Sequence, residues 1–210
     1  MIDFPEATRV LRRLPKEAFY KRLPLTTAIK DKFVSDVDRI IVENSLTAEN
    51  LNLSQQSEVK EILLLSITLK KQEFDGKVVE AIARQNPHNL VFLLSYEDMR
   101  QLALYQGKLY RSPWVPEAEL TLKANGFSLE EIWNGFIEQI ALYEERAESA
   151  EGMTIDERLA LQEKIVKLEK LIKKTEAAAW KEMQPKKRFE LYTKVQKYKQ
   201  ELEELTHGQT

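Results

Sequence analysis

Two aspartates and a lysine have the spacing of an incomplete metal-dependent nuclease site. Asp36 and Asp38 precede a segment rich in Ile and Val, and the next apolar segment ends in Thr68-Leu69-Lys70. In nucleases of this kind, an acid at the start of one strand and Glu-x-Lys on the next hold Mg²⁺ and stabilise charge at the phosphate. Here the lysine is present, but threonine stands where the metal-ligating glutamate is needed. The sequence therefore predicts no nuclease activity, with an atypical site at Asp36, Asp38 and Lys70 as the alternative.

Other catalytic and cofactor chemistries lack the residues that they need. The chain has no cysteine, which excludes disulfides, thiolate zinc sites and a cysteine nucleophile. His88 and His207 have no partner at metal-ligand spacing, so we interpret both as exposed or locally satisfied. The glycines are scattered singly, without the spacing of a phosphate-binding loop, and no Gly-x-Ser-x-Gly occurs. We therefore predict no metal, no cofactor and no catalytic residue.

The strongest positive signal is a cluster of basic and aromatic residues in the C-terminal quarter. Between Lys164 and Lys199, twelve Lys and Arg residues stand against four Glu residues, although the net charge of the whole chain is −2. The cluster centres on Pro185, and six residues around this break are candidate binding residues: Trp180, Lys181, Lys186, Lys187, Arg188 and Phe189. A projecting cationic apex of this composition suits a phosphate backbone or an acidic protein surface. The alternative is a solvated helical face without a binding role.

Two amphipathic helices position this cluster. Apolar or small residues recur at alternating steps of four and three on both sides of Pro185: Leu161, Ile165, Leu168, Ile172, Thr175 and Ala179 before it, and Leu191, Val195, Tyr198, Leu202 and Leu205 after it. This is the a/d pattern of a coiled coil. Residues 154–210 are therefore predicted to form an antiparallel helical hairpin with the basic cluster at its apex.

The residues before the hairpin predict a small α+β domain at 1–147, followed by a linker at 148–153. Residues 1–24 are basic and interrupted by three prolines, so irregular backbone with short helical turns is expected there. Helices are predicted at about 27–37, 77–84 and 128–146. Strands are predicted at about 39–46, 59–70, 90–96, 100–105 and 109–111, with a last short one at 120–122. We expect a mostly antiparallel sheet of about five strands flanked by helices.

The composition is that of an ordinary globular protein. The chain has 210 residues, of which 43% are apolar and 31% charged, so a hydrophobic core can form without a disulfide or metal. No apolar run approaches the ~20 residues that cross a bilayer. The N-terminal Met-Ile-Asp-Phe-Pro-Glu is not followed by an apolar segment, so no signal peptide is expected. These features favour a cytoplasmic protein without a membrane span.

A set of segments in fixed order carries a family resemblance that covers nearly the whole chain. They are residues 15–20, 32–40, 44–52, 61–70, 89–94, Trp114, 126–132 and 187–191. The ordered set resembles a bacterial family catalogued as domain of unknown function 4391. The resemblance implies no catalytic residues. It does imply an association, because members look like small partners found near helicases and DNA methyltransferases in bacterial defence-type gene clusters.

Three functions remain open at this point. The favoured one is a non-enzymatic accessory subunit of a nucleic-acid-processing or phage-defence assembly, docked on a helicase- or methyltransferase-type protein and in contact with nucleic acid through the apex. The second is a metal-dependent nuclease with an atypical site. The third is a homodimer whose hairpins pair into a four-helix bundle, which requires exposed apolar residues such as Leu159, Val166 and Leu171.

Overall fold

The computed structural model describes residues 2, 4–17, 25–143 and 152–207, with the side chain of His207 excepted. The chain divides into two units, Met1–Tyr143 and Glu144–Thr210. Most of the linker predicted at 148–153 lies outside the described residues. The first unit carries the sheet, and the second carries the helical pair.

A mixed sheet of seven strands forms the first unit. Its strands are β1 (Arg9–Leu14), β2 (Val37–Thr47), β3 (Glu61–Leu69), β4 (Asn89–Tyr96), β5 (Met99–Gln106), β6 (Lys108–Arg111) and β7 (Val115–Pro116). The spatial order is β1-β2-β3-β4-β5-β6, and β7 pairs with β5. The β3–β4 pair is parallel, whereas the other pairs are antiparallel. A parallel pair needs a crossover connection, and a helix supplies it between these two strands.

The described residues include five α-helices, three in the first unit and two in the second. They are α1 (Thr27–Asp36), α2 (Lys77–Arg84), α3 (Leu129–Ala141), α4 (Ile155–Lys181) and α5 (Pro185–His207). The side chains of Thr26 and Ser128 cap α1 and α3 by accepting backbone N–H groups of the first turn, as these residue types prefer. Helix α3 ends at Ala141, earlier than the predicted end near Arg146, a residue outside the described part of the chain.

Both faces of the sheet are buried, which explains the nearly continuous apolar sequence of β3. On one face, α1 and α2 contribute Phe33, Val78, Val79 and Ile82 to a core that includes Ile40, Leu65, Ile67 and Phe92. The residues of α3 lie outside that core, and α3 contacts β3, β5 and β6. Trp133 and Phe136 of α3 are buried, as are Leu64, Val91 and Leu104 on the second face of the sheet.

The prediction of irregular backbone across residues 1–24 is wrong for Arg9–Leu14. These residues form β1 at the edge of the sheet, where all but Leu14 are exposed. Leu11 has a φ of +51°, and the pairing register shifts between Arg9 and Arg12, so the strand carries a bulge. An edge strand pairs on one side alone and can be rich in charge, which discourages pairing with other chains. Such a strand gives no period-two signal in the sequence.

The short strand predicted at 120–122 is also wrong. Leu122 makes an isolated bridge to Ile2, and the strand in this region is β7, five residues earlier. A 3₁₀ turn at Glu117–Glu119 follows β7 directly and separates the strand from the two leucines. Leu120 and Leu122 are nevertheless buried, so these apolar side chains pack in the core without belonging to a strand.

In the second unit, α4 and α5 pack against each other as the predicted hairpin. Each a/d residue predicted from the sequence is buried or half-buried, and Ile165, Ile172 and Val195 are nearly inaccessible. Lys199 Nζ and Glu176 Oε1, 2.8 Å apart, join the two helices. Among the described helices, none combines the length and apolar character that a membrane crossing demands.

Candidate functional site

The strand pairing brings the residues of the nuclease-like pattern to one corner of the sheet. Val37 pairs with Leu69 and Arg39 pairs with Thr68, so Asp38 is the extra residue of a bulge opposite the end of β3. The backbone N–H of Lys70 donates to the carbonyl oxygen of Asp36 at 2.9 Å. Whether these neighbouring side chains can do chemistry depends on the contacts that each of them makes.

The carboxylate of Asp36 is an anchor within the fold. The residue is fully buried, with Lys71 Nζ 2.8 Å from Oδ1 and the Ser35 hydroxyl donating to Oδ1 at 2.5 Å. The backbone N–H of Asp75 donates to Oδ2 at 3.2 Å. Burial acts to raise the pKa of Asp36, but the hydrogen bonds from Lys71, Ser35 and Asp75 and the charge of Lys71 together hold it below its ordinary value. Both oxygens of this carboxylate are engaged.

Lys70 and Asp38 do not complete a metal site. Lys70 Nζ donates to the carbonyl oxygen of Val34 at 2.8 Å, so it satisfies a free carbonyl in the last turn of α1. Asp38 is exposed. Within residues 2, 4–17, 25–143 and 152–207, no three His, Asp or Glu side chains are grouped to hold a metal ion. The corner is accounted for by structural contacts, and nothing in its geometry favours the nuclease alternative.

We expect the purified chain not to cut DNA. Thr68 offers no carboxylate at the position where the pattern requires one, and Asp36 and Lys70 are held in other contacts. Incubation with Mg²⁺ or Mn²⁺ and single- or double-stranded DNA should leave the substrate intact, as in a mock preparation. If the wild type cuts DNA and either Asp38→Ala or Lys70→Ala abolishes the cleavage, the chain is a nuclease and this prediction is wrong.

His88 is locally satisfied, as interpreted from the sequence. Its Nδ1 lies 3.1 Å from Glu61 Oε2, and the Ser45 hydroxyl donates to the other oxygen of the same carboxylate. The order of these contacts is not that of a hydrolase triad, because the serine bonds the carboxylate and not the imidazole. His207 has its side chain outside the described part of the chain.

The hairpin apex, defined here as Trp180–Phe189, presents its candidate residues to solvent. Helix α4 ends at Lys181, and α5 begins at Pro185, a residue whose fixed φ and missing N–H suit the first helical position. The side chains of Trp180 and Phe189 are 79% and 73% exposed. Met183, in the turn between the helices, is 90% exposed and is not among the binding residues predicted from the sequence. Its position in the turn, outside the a/d pattern, is the sequence signal that could have identified it.

The cations of the apex are exposed, and the described residues give them no ion pair. Lys181, Lys186, Lys187 and Arg188 are all exposed, and none has an acidic partner among the described residues. Three of them lie in the first turn of α5, which has no acidic residue. Cations near a helix N-terminus oppose the helix dipole, at about 0.3–1 kcal/mol each. These cations therefore do not stabilise the hairpin, and they are available to bind an external anion.

The start of α4 shows the opposite arrangement in the same hairpin. Thr154 and Glu157 form a capping box, and Asp156 adds a second acid to the first turn. The Thr154 hydrogen bonds lower the pKa of Glu157, as expected for a carboxylate that accepts backbone N–H. The contrast identifies the basic start of α5 as a feature that helix stability does not require.

The residues required for hairpin dimerisation are largely covered. Leu159 is buried and Val166 is half-buried, whereas Leu171 is 38% exposed. A four-helix bundle needs a continuous apolar stripe on the outside of the hairpin. Outside the apex, the exposed large apolar side chains of α4 and α5 in the described chain are Leu171 and Tyr192, at 38% and 40%. Two partly exposed side chains do not make such a stripe, so the geometry favours the apex over the helix sides.

A mixed sheet packed between helices and followed by a helical pair defines an α+β protein with a C-terminal hairpin. The chain belongs to the family described as Domain of unknown function (DUF4391), whose model matches residues 2–202. Comparison with curated proteins and comparison with solved structures each gave no match.

Proposed function

We propose that the chain is a non-enzymatic accessory subunit that docks through its hairpin apex onto an acidic, partly apolar surface of a larger nucleic-acid-processing protein. The partner would be of the helicase or methyltransferase type, in a bacterial defence-type assembly. One observation carries the proposal: Trp180, Met183 and Phe189 are largely exposed next to cations that have no ion pair within the described part of the chain.

Several side chains of the apex are of types that protein interfaces favour. Trp, Met and Arg are enriched at protein interfaces, and Trp and Arg are the commonest residues of binding hot spots. Each exposed aromatic side chain gains ~25 cal/mol for every Å² that a partner covers. The surrounding cations add association rate and selectivity for an acidic surface.

The hairpin supplies a rigid support for this surface. Its own packing is completed by the buried a/d residues and by the Lys199–Glu176 ion pair, none of which belongs to the apex. Apex side chains are therefore free to make external contacts without loss of hairpin packing. Support also comes from the family resemblance, which implies neighbours that act on nucleic acid.

The proposal is tested by partner recovery with charge-matched variants. The tagged full chain is expressed in its native host, and co-purifying proteins are quantified by mass spectrometry with and without nuclease treatment. The apex variant replaces Lys186, Lys187 and Arg188 with Ala. The matched control replaces Lys170, Lys173 and Lys174, which are exposed cations on the body of α4. Both variants change the net charge equally and spare the buried a/d residues.

We expect a helicase- or methyltransferase-type protein to be recovered with the wild type and the control, and to be reduced about ten-fold or more with the apex variant. The loss should shrink as salt is added, because charge attraction is screened. Equal recovery with both variants would overturn the proposal. Recovery that depends wholly on nucleic acid would assign the apex to nucleic acid instead.

A further inference from the structure

A row of polar side chains crosses the sheet on the face that α3 covers in part. The pairing registers align Arg39 of β2 with Thr68 of β3, Thr68 with Ser95 of β4, and Ser95 with Arg100 of β5. Residues directly opposite in a sheet project to the same side. These four residues, called the polar row, therefore share one face of the central strands.

The polar row lies beyond the buried part of this face. Leu64, Val91 and Leu104, which are also in register, are buried. Two rows further along the strands, Thr68 and Ser95 are half-buried, and Arg39 is exposed. The hydroxyls of Thr68 and Ser95 have no hydrogen-bond partner among the described residues. Polar groups that are shielded from solvent usually have hydrogen-bond partners. Because these two hydroxyls find none in the described chain, they can donate to an external acceptor.

Cations gather at the β2 end of the polar row. Arg13 of β1 pairs with Ile41, two residues beyond Arg39 on the same face. Arg13, Lys16 and Arg39 line a pocket of about 330 Å³ together with Glu17 and Asp38. Lys16 Nζ donates to the carbonyl oxygen of Val37, whereas Arg13 and Arg39 have no ion pair among the described residues. This end of the row thus carries a net positive charge.

The β5 end is closed by internal contacts. Arg100 donates to Glu117 Oε2 at 2.6 Å and to the carbonyl oxygens of Glu97 and Met99, and its side chain is 16% exposed. The charge of Arg100 is neutralised by Glu117, so Arg100 forms the end of the row but is not available to bind an anion. The available donors are therefore the two arginines at one end and the two hydroxyls in the middle.

We propose that the polar row, together with Arg13 beside it, binds the phosphodiester backbone of a single nucleic-acid strand, with Arg13 and Arg39 on phosphate oxygens and Thr68 and Ser95 donating hydrogen bonds. Arginine and hydroxyl side chains are the usual phosphate ligands. From Arg13 on β1 to Ser95 on β4 the donors cross three strand spacings of ~4.8 Å, about 14 Å in all. One strand of nucleic acid places a phosphate every ~3.4 Å of axial rise, so this length accommodates more than one phosphate.

Protection of the sheet edge does not account for Arg39. A charged edge strand discourages pairing with other chains, which explains Arg9 and Arg12 on β1. Arg39, however, lies on β2, an internal strand with neighbours on both sides. An exposed arginine in register with two hydroxyls that have no partner in the described chain favours a ligand on the face of the sheet over a function at its edge.

The test measures binding of the full chain to a labelled oligodeoxythymidine of about 20 nucleotides by fluorescence anisotropy over a salt series. The row variant is Arg13→Ala with Arg39→Ala. The matched control is Arg12→Ala with Lys30→Ala, which removes two exposed cations on the other side of the sheet, since Arg12 pairs with Val42 and Lys30 belongs to α1. Circular dichroism checks that both variants are folded.

We expect the row variant to bind at least about ten-fold more weakly, because a hydrogen bond to a charged group contributes a factor of ten or more. The slope of log K against log salt should fall by about 1.4, because each neutralised phosphate of a single strand contributes about 0.7 and the variant removes two arginines. Thr68→Val should also weaken binding while changing no charge. The control should bind as the wild type does.

Three results would overturn the inference. They are no binding by the wild type at low salt, equal reductions of affinity in the row variant and the control, and loss of binding in the apex variant with none in the row variant. The last result would assign nucleic acid to the apex. Because the row and the apex are tested by different substitutions and probes, failure of one leaves the other intact.

Discussion

Replacing Trp180 by alanine should weaken binding to the protein recovered through the apex by about thirty-fold or more. Tryptophan is the commonest hot-spot residue, and truncating one at the centre of an interface costs about 2 kcal/mol or more. Trp180 is 79% exposed, so the substitution removes little buried surface from the chain itself. The thermal unfolding midpoint should therefore stay close to that of the wild type.

The measurement is the dissociation constant of the full chain and the purified partner, obtained by biolayer interferometry or calorimetry. Phe127→Ala is the matched control, because Phe127 is an equally exposed aromatic, at 86%, in the first unit. It should bind as the wild type does. If both variants lose affinity equally, or if neither loses any, the apex does not contain the hot spot.

The parts of the fold that local patterns encode could be predicted from the sequence. The heptad spacing from Leu161 to Leu205 requires no knowledge of distant residues, and the helical pair confirms it. The long apolar run of β3 likewise indicated a strand covered on both faces. Its parallel pairing with β4 has no comparable local signal, because a helix also lies between β1 and β2 and that pair is antiparallel.

Features that depend on register between distant segments could not be predicted. Thr68, Ser95 and Arg39 come from strands far apart in the chain, and a bulge at Asp38 sets which face Arg39 occupies. A shift of one residue in any of these pairings would move a side chain to the opposite face. The polar row therefore exists in the folded chain and has no signature in the sequence.

The same limit applies to the nuclease-like pattern. Spacing placed Asp36 and Lys70 near each other, and the strand pairing does bring them together. Their roles depend on partners that spacing does not reveal, namely Lys71, Asp75 and the carbonyl of Val34. An acid in a catalytic pattern and an acid in a structural anchor look alike until the contacts are known.

Replacing Asp36 by asparagine should lower the free energy of unfolding by about 2 kcal/mol at neutral pH. The carboxylate is fully buried and accepts hydrogen bonds from Lys71, Ser35 and the Asp75 backbone, which weaken when the charge is removed. Asp38→Asn is the matched control from the same nuclease-like pattern. Asp38 is exposed, so its substitution should change the stability by less than about 0.5 kcal/mol.

The pH dependence of this difference distinguishes a charged anchor from simple packing. In the folded chain the pKa of Asp36 lies below its ordinary value of 3.8, so the unfolded chain binds the proton more readily. The stabilisation from the charged form is fully present above that ordinary value and is lost as the pH falls through the lower, folded pKa. Urea unfolding at neutral pH and at successively lower pH values should therefore show a gap between the wild type and Asp36→Asn that narrows in acid. A gap that stays constant would mean that the carboxylate contributes through its shape and neutral hydrogen bonds, and that the ion pair with Lys71 adds nothing.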